Sequence, residues 1–270
     1  MDLGLKGRAC VVTGASRGIG LSTARMLCGE GADVLLVARS EDALLEAADE
    51  CAAAGQEAGG RAESLVADVT DPATADLIVQ EAADRLGQLD VLVNNAGTAR
   101  RRDFDEVPDE DWYAAWELNV MAPMRLMRAA TPGMTERGWG RIVNVSSSSG
   151  KRPSANTPEY SVAKAAELSL SRLFADRYAG DGVLINAICP GAAKSELWTA
   201  DGGLADQIME MEGHSSREEA MQSAAAGRPI GRLAEVEEIA GAIVFLCSEQ
   251  ASYVSGAAWS VDGGVVQIIV

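Results

Sequence analysis

Short apolar runs, rich in β-branched residues, alternate with longer segments of helical character along the whole chain. The apolar runs are Ala9–Val12, Asp33–Ala38, Ser64–Ala67, Val91–Asn94, Arg141–Ser146, Val183–Ile188 and Ala258–Val261. Segments rich in alanine and glutamate lie between them, such as Glu41–Ala54, Pro72–Leu86 and Glu235–Cys247. Continuous apolar strands separated by helices are typical of a parallel sheet covered on both faces. The pattern therefore predicts a seven-stranded, doubly wound α/β sheet with ligands at the carboxyl ends of its strands.

The chain has 270 residues and shows no internal repeat and no linker. A chain of this length is long enough to bury one large core, so we expect residues 1–270 to form a single domain. The alternation of strands and helices is interrupted between Ser195 and Gly227.

Charge and composition exclude several classes of function. The formal net charge of −17 and the isoelectric point near 4.5 argue against nucleic acid and anionic membranes as partners. The sequence has no apolar run of membrane-spanning length and no secretory leader, so we expect a cytoplasmic protein. Five cysteines without metal-ligand spacing and a single histidine make a metal centre improbable.

The first strand runs directly into a glycine-rich turn, Thr-Gly-Ala-Ser-Arg-Gly-Ile-Gly. Glycine at positions 14, 18 and 20 lets the backbone turn sharply into a helix and approach a pyrophosphate closely. The N-terminus of that helix offers free N–H groups and the positive end of a dipole. A tight strand–helix connection is the alternative, but the position after an N-terminal strand favours a dinucleotide site.

Tyr160 and Lys164 are separated by one helical turn and can point into one cleft. A tyrosine hydroxyl, with an ordinary pKa of about 10, transfers protons poorly near neutrality. A nearby fixed cation stabilises the phenolate and makes the hydroxyl a usable acid and base. The pair therefore offers proton transfer in a chain that has almost no histidine.

Together these motifs resemble the short-chain dehydrogenase/reductase family. The resemblance is carried, in order and in spacing, by Thr13, Gly14, Gly18, Gly20, Asn94-Asn95-Ala96-Gly97, Asn119, Ser147, Tyr160, Lys164, Pro190-Gly191 and Asp262-Gly263-Gly264. It covers nearly the whole chain and implies a Rossmann-type fold. Among the branches of the family, the chain looks most like the 3-oxoacyl-carrier-protein reductases.

The resemblance implies a hydride transfer between a nicotinamide and a carbonyl carbon, with Tyr160 exchanging the proton on the oxygen. Of the four serines at 146–149, Ser147 has the family's spacing to the tyrosine and would hold the substrate oxygen. Lys164 would stabilise the phenolate and bind the nicotinamide ribose. Taken alone, Asn119 has a simpler interpretation as a helix-interior amide bonded to nearby backbone. With the other motifs in register we favour the role that the resemblance implies, in which Asn119 anchors a water that relays protons to Lys164.

The implied cofactor contacts come from most of the loops that follow strands. They are Gly14, Ser16, Arg17, Gly18, Ile19, Gly20, Arg39, Asp68, Val69, Asn95, Ala96, Gly97, Tyr160, Lys164, Pro190, Gly191, Ala193 and Ser195. The second strand ends in Arg39, without the acidic residue that binds both ribose hydroxyls in NAD-preferring relatives. Arg39 and Arg17 can converge on a 2′-phosphate, so we expect NADP(H) to be preferred over NAD(H).

In the resembled family, the region at 195–227 forms a mobile lid over the substrate. Trp198 is a candidate substrate contact there, and packing of the lid on the body is the alternative for Trp198 and His214. Relatives usually form homotetramers, which we expect here as well. We favour a small ketone or alcohol as substrate over an acyl-carrier protein, because carriers are acidic and this chain is too. The run Arg100–Arg102 leaves the carrier alternative open.

Two shorter matches point to serine hydrolases. Residues 14–18 fit Gly-x-Ser-x-Gly, and residues 161–164 fit Ser-x-x-Lys. The first needs a histidine, for which His214 is the only candidate, and the second lacks both Ser-Asp-Asn and Lys-Thr-Gly. We interpret both matches as coincidences within dehydrogenase motifs. A non-catalytic nucleotide sensor is another alternative, and the intact Tyr160–Lys164 pair argues against it.

Overall fold

Seven parallel strands form one sheet in the computed structural model, which describes residues 2–268. The strands are β1 (Ala9–Thr13), β2 (Asp33–Ala38), β3 (Ala62–Val66), β4 (Val91–Asn94), β5 (Gly140–Val145), β6 (Val183–Pro190) and β7 (Ala258–Val261). Their order across the sheet is β3-β2-β1-β4-β5-β6-β7. The chain changes direction across the sheet between β1 and β4, which is where sheets of this topology bind ligands.

Helices cover both faces of the sheet. Within residues 2–268 they are α1 (Gly18–Gly29), α2 (Glu41–Gly55), α3 (Thr74–Leu86), α4 (Asp109–Trp116), α5 (Ala122–Arg137), α6 (Ser148–Lys151), α7 (Pro158–Tyr178), α8 (Glu196–Thr199), α9 (Leu204–Glu212), α10 (Arg217–Ala226) and α11 (Val236–Cys247). Of the helices described, none has both the length and the apolar character needed to cross a bilayer.

The core is divided by the sheet into two layers. Neighbouring residues of a buried strand point to opposite faces, so Val12 packs with α1, α2 and α11, while Val11 packs with α3, α5 and α7. Both side chains are fully buried. This division explains the continuous apolar runs of the sequence, because neither face of the central strands meets water.

The predicted fold class is confirmed, and most strands lie where the pattern placed them. β3 is the exception, since we predicted Ser64–Ala67 and the strand is Ala62–Val66. β3 is an edge strand with partly exposed side chains, so its apolar pattern is weak, and pairing with β2 from Val34↔Ala62 onward decides its start. The predicted break in the alternation, between β6 and the last helix, contains the short helices α8, α9 and α10.

Candidate active site

The turn between β1 and α1 packs closely against the loop that follows β4. Gly14 has a φ of +64°, and a Cβ atom there would lie 2.9 Å from the Cα atom of Ala96. A Cβ atom on Gly20 would lie 2.3 Å from the carbonyl oxygen of Gly14. The Thr13 hydroxyl accepts hydrogen bonds from the backbone N–H groups of Asn95 (3.0 Å) and Ala96 (3.1 Å). The two loops are therefore held together, with room for glycine alone at positions 14 and 20.

The first turn of α1 presents its backbone N–H groups to this edge of the sheet. Its N-cap residue, Arg17, makes no side-chain capping hydrogen bond. Ser195, which precedes α8, lies close by, because a Cβ atom on Gly18 would be 3.4 Å from the Ser195 Cβ atom. An uncapped helix N-terminus beside a glycine turn attracts an anion. These residues therefore fit a dinucleotide pyrophosphate, with Ser195 beside it.

The end of β2 lies next to the glycine turn, where the Ala15 N–H donates to the Val37 carbonyl oxygen at 3.3 Å. Arg39 follows β2, and its guanidinium is 80% exposed and 4.0 Å from a carboxylate oxygen of Asp68. Hydrogen bonds from Thr70, together with the attraction of Arg39, hold the pKa of Asp68 below its ordinary value. An exposed arginine at the end of β2 matches the position expected for a 2′-phosphate contact.

Ser16, Ile19, Val69 and Gly97 also lie in loops or helix starts at the carboxyl edge of the sheet. Pro190 is the last residue of β6, and Gly191 and Ala193 follow it. Ala193 is 3% exposed and packs in the core layer of α11, so only its backbone is left to border a nicotinamide. All predicted cofactor positions thus surround one edge of the sheet.

Helix α7 brings the tyrosine and the lysine to the same edge. The Lys164 Nζ atom lies 5.8 Å from the centre of the Tyr160 ring. It donates hydrogen bonds to the Val145 carbonyl oxygen at 2.8 Å and to Oε2 of Glu167 at 2.9 Å. The Ser146 hydroxyl donates to the Lys164 carbonyl oxygen at 3.0 Å and so ties α7 to the end of β5.

Lys164 is 3% exposed, which is unusual for a lysine. Burial alone lowers the pKa of the Lys164 ammonium, but the attraction of Glu167 and Tyr160 and the hydrogen bond to Glu167 hold it above its ordinary value. The ammonium is therefore a fixed positive charge beside the Tyr160 ring.

Ser147 is the N-cap residue of α6, and its Oγ atom accepts a hydrogen bond from the Ser149 N–H at 3.1 Å. The hydroxyl proton of Ser147 remains available to donate to a substrate oxygen. Gly150 allows α6 to approach α7, since a Cβ atom there would lie 2.9 Å from the carbonyl of Lys164. This close approach places the serine loop against the helix that carries Tyr160.

Asn119 lies in a π-helical segment, Glu117–Met121, between α4 and α5. Its Nδ2 atom donates to the Ala115 carbonyl oxygen at 2.9 Å, as the simpler interpretation of this residue expected. Its Oδ1 atom is buried and has no hydrogen-bond partner within residues 2–268. A Cβ atom on Gly97 would lie 3.6 Å from this oxygen and 3.9 Å from Nζ of Lys164. The partnerless oxygen and the ammonium therefore face the same small space.

Ion pairs join α9 and α10 of the region expected to form the lid, where Arg217 contacts Asp206. The His214 ring lies 3.2 Å from a carboxylate oxygen of Glu212 and 3.9 Å from one of Glu219. His214 thus contacts carboxylates of its own region, and its expected packing on the body of the protein stays a prediction. Trp198 lies in α8, directly after Ser195, and is partly buried.

The run Arg100–Arg102 is the basic segment that leaves the carrier-protein alternative open. Arg101 pairs with Glu212 of α9 at 2.8 Å, and Arg102 pairs with Asp111 of α4 at 2.5 Å. Arg100 is exposed. Two of the three guanidinium groups are therefore bound to carboxylates of the chain itself, and Arg101 joins the loop after β4 to the lid.

Sequence reasoning missed two features of the site. The π-helical segment that holds Asn119 has no signature that we recognised in its sequence, Glu-Leu-Asn-Val-Met. Glu167 was also missed, although its spacing of three residues from Lys164 is that of a helical ion pair. A glutamate on a helix normally faces water, so its burial beside Lys164 could not be read from spacing.

The arrangement can exchange a proton and hold a carbonyl oxygen. Ser147 and Tyr160 provide hydroxyl groups, and Lys164 provides a cation that favours the phenolate. Within residues 2–268, no group of three or more His, Cys, Asp or Glu side chains is arranged to bind a metal ion.

Comparison with known proteins supports the same chemistry. Residues 14–266 match a family model described as enoyl-(acyl carrier protein) reductase. The chain is 39% identical to cis-4-hydroxycyclohexanecarboxylate dehydrogenase of Sinomonas cyclohexanicum, covering 97% of both chains. It is 31% identical to 3-oxoacyl-[acyl-carrier-protein] reductase of Vibrio cholerae, covering 98% of this chain and 100% of that one. The solved structure of L-sorbose reductase from Gluconobacter frateurii with NADPH and L-sorbose superposes with a TM-score of 0.91, at 38% identity and full coverage of both chains.

Proposed function

The chain belongs to the short-chain dehydrogenase/reductase family and acts on CH–OH groups, and we propose that it interconverts a small ketone and a secondary alcohol with NADP(H). In this proposal Tyr160 is the general acid and base, Ser147 holds the substrate oxygen, and Lys164 and Asn119 support the proton transfer. The observation that carries it is the buried Lys164 ammonium, bonded to the Val145 carbonyl and facing Asn119 Oδ1.

A bound nicotinamide cofactor would supply the hydride in reduction and accept it in oxidation. The chain contributes the rest of the chemistry. Ser147 donates its hydroxyl proton to the substrate oxygen and fixes the carbonyl, while Tyr160 protonates that oxygen as negative charge develops on it. Lys164 lowers the cost of the resulting phenolate. A water bonded to Asn119 Oδ1 would return a proton through Lys164 to Tyr160.

The preference for NADP(H) rests on the end of β2. Arg39 is exposed there and Arg17 lies in the exposed glycine turn, so both guanidinium groups can reach a ribose phosphate. The nearby carboxylate is Asp68, which lies 4.0 Å from the Arg39 guanidinium. Hydrogen bonds from Thr70 favour its ionised form. L-sorbose reductase, at 38% identity, was solved with NADPH, which supports this choice.

The substrate is proposed to be a small molecule. Gly138 and Asp181 lie at positions near the docking surface of the resembled carrier-protein reductases. Arg137, beside Gly138, donates to the Leu89 carbonyl oxygen at 2.5 Å. Asp181 is acidic and pairs with Arg177. Neither position offers the uncommitted positive charge that an acidic carrier protein requires. The relatives that act on cyclohexane and sugar substrates favour the same class.

We expect a homotetramer in the reducing environment of the cytoplasm. Tyr113 of α4 and Leu173 of α7 are 73% and 66% exposed, and Trp259 of the edge strand β7 is 43% exposed, which suits two subunit interfaces. All five cysteines are unpaired thiols, as is usual in cytoplasmic proteins. Size-exclusion chromatography with light scattering measures the assembly directly.

The function is tested by titrating NADPH and NADH in parallel and then supplying ketones with the preferred form. The ketone panel should contain L-sorbose, 4-oxocyclohexanecarboxylate and a 3-oxoacyl-carrier-protein substrate. We expect tighter binding of NADPH and turnover of a small ketone. Binding of NADPH without turnover of any compound would favour a nucleotide sensor, and turnover of the carrier substrate alone would favour the carrier reductase alternative.

The proposed preference for NADPH is tested separately, with a variant of Arg39. Removing the guanidinium in Arg39→Ala should weaken NADPH binding by about 10- to 100-fold, the usual value of a charged hydrogen bond, and leave NADH binding nearly unchanged. The matched control is Arg25→Ala, because Arg25 lies on α1 away from β2 and pairs with Glu237. An equal loss for both cofactors would contradict a role of Arg39 in reading the phosphate.

A further inference from the structure

Glu167 is a buried carboxylate that the proposed reaction leaves without a role. It lies on α7 one turn after Lys164, and it is 2% exposed. Its Oε2 atom accepts a hydrogen bond from Nζ of Lys164 at 2.9 Å. A buried carboxylate in a protein core needs a partner of opposite charge, and Lys164 is that partner.

The surroundings of Glu167 contain little other charge. It borders a cavity of about 10 Å³, the room of roughly one water molecule. The cavity is also lined by Thr13 and Asn94, which are polar and uncharged. The Oδ1 atom of Asn94 is buried and has no partner among the described residues, so a water there would have polar neighbours.

Two other titratable groups lie close to the ion pair. Tyr160 is on the same helix, and Cys189 is on the neighbouring strand β6. Burial raises the pKa of the Cys189 thiol to about 11, so that group stays neutral below pH 10. Lys151 and Asp262 also act on Cys189, so they are the next charged groups around the ion pair.

The hydrogen bonds of the ammonium show what Glu167 does to Lys164. An ammonium has three N–H donors, and Val145 and Glu167 each take one of them. One donor remains, on an atom that also faces Asn119 Oδ1 across the space above Gly97. Glu167 thus fixes the direction of the last donor before any ligand binds.

The charge of Glu167 has a second consequence. Positive charge at Lys164 favours the phenolate of Tyr160, and a carboxylate bonded to Nζ offsets part of that effect. The same carboxylate keeps Lys164 protonated although the site is buried. Both effects depend on the negative charge of Glu167, so a neutral side chain at this position removes them together.

We propose that Glu167 is a positioning residue that holds Lys164 through a hydrogen-bonded ion pair and sets the working pH of the Tyr160–Lys164 proton transfer. The proposal rests on the proposed function for its link to turnover. Its link to cofactor binding is independent of turnover, because Lys164 is proposed to bind the nicotinamide ribose.

The pKa shifts of Lys164 and Glu167 agree with this positioning role. Burial disfavours the charged form of Lys164 and lowers its pKa. The attraction of Glu167 and Tyr160 and the hydrogen bond to Glu167 outweigh burial, so the pKa of Lys164 is raised overall. Burial also raises the pKa of Glu167, and the Lys164 ammonium and the Ser146 hydroxyl reverse only part of that increase. Each partner therefore depends on the other to stay charged in a buried site.

The test is Glu167→Gln, which removes the charge and keeps the shape. The pH profile of alcohol oxidation and the dissociation constant of NADPH against pH are measured together. We expect the alkaline limb of both profiles, where Lys164 loses its proton, to move to lower pH by about one to three units. The acidic limb of turnover should move less than the alkaline limb, because the Glu167 carboxylate contacts Lys164 directly.

The matched control is Glu159→Gln. Glu159 is buried on the same helix but makes no hydrogen bond to Lys164, so its variant should keep the wild-type profiles. Glu167→Asp retains the charge on a shorter side chain. The Glu167→Asp variant should keep the wild-type midpoints of both pH profiles. Its kcat should fall with little change in KM, because Lys164 is then charged but displaced.

Profiles of Glu167→Gln that coincide with wild type, or that shift no more than those of Glu159→Gln, would overturn the proposal. The wild-type protein provides a test that does not depend on folding of a variant. If its NADPH affinity falls with a midpoint below the ordinary lysine pKa of about 10.5, Glu167 does not keep Lys164 charged. Failure of the proposed function would look different, because turnover would be absent while the NADPH profile still shifted.

Discussion

The two ends of the parallel sheet each bury positive charge against one carboxylate, and they use it differently. At the amino edge, the guanidinium groups of Arg8 and Arg141 lie 3.6 Å and 4.4 Å from the centre of the Trp139 ring. Glu249 pairs with Arg8 at 2.8 Å and accepts from the Trp139 indole N–H at 2.9 Å. Arg141 also donates to the carbonyl oxygens of Gly140 and Ser248.

At the carboxyl edge, several hydrogen-bond donors and acceptors of the buried side chains have no partner in the described part of the chain. Lys164 keeps one donor, Ser147 keeps its hydroxyl proton, and Asn119 Oδ1 has no partner within residues 2–268. By contrast, no atom of Arg8, Trp139, Arg141 or Glu249 is among the buried partnerless atoms of the described residues. Buried charge is common to both edges. The difference between these two clusters lies in their unused hydrogen-bonding groups, and the cluster that has them is at the edge where a ligand is expected.

The largest expected effect is the loss of turnover in Tyr160→Phe. General acid–base catalysis contributes on the order of 10²–10⁴-fold, so kcat should fall by that factor. NADPH affinity and thermal stability should remain near wild type, because the phenyl ring keeps the packing. Turnover within tenfold of wild type would show that another group transfers the proton.

Arg141→Met should give the opposite result. Arg141 is 4% exposed, and its loss leaves buried carbonyl oxygens and part of Glu249 without a donor. We expect a fall of about 1–3 kcal/mol in the free energy of unfolding, measured with urea, and an unchanged kcat for the folded enzyme. A large change in kcat would mean that the amino edge is coupled to the chemistry.

Two buried asparagines allow the same comparison with one type of side chain. Asn119→Ala should lower kcat by about tenfold, the effect of losing one hydrogen bond to a relay water, at little cost in stability. Asn186→Ala is the control, since Asn186 uses both ends of its amide, donating to the Val254 carbonyl and accepting from the Ala257 N–H. It should lower stability and leave kcat unchanged. Equal effects of the two variants on kcat would show that the partnerless oxygen of Asn119 has no special role in turnover.

The smallest expected effect concerns thiols at both edges. Burial raises the pKa of Cys10, near the amino edge, and raises that of Cys189, near the carboxyl edge, to about 11. A raised pKa keeps a thiol protonated at pH 8, so neither should react with a disulfide reagent until the protein unfolds. Reaction of Cys189 in the native protein, with protection by NADPH, would reveal opening of the carboxyl edge.

The sequence predicted that most of the candidate site residues meet at one edge of the sheet, for a local reason. Tyr160 and Lys164 share a helical face because they are four residues apart, and the glycine turn follows a strand in the sequence itself. Residues after strands of a parallel sheet must meet at one edge, so Arg39, Asp68 and Asn95 could be assigned to one site before their positions were known. The roles of these residues stay predictions until the variants are measured.

Periodicity and spacing by themselves determined the α/β class, the succession of strands and helices along the chain, and the candidates for proton transfer. These features depend on neighbours within a few residues. Only the tertiary structure decided that Asn119 faces Lys164 with a partnerless oxygen, and that Glu167 is buried against the same ammonium. Burial and unused hydrogen bonds depend on residues distant in the sequence. The three-dimensional packing therefore supplied the electrostatics of the site, while the sequence supplied its chemistry.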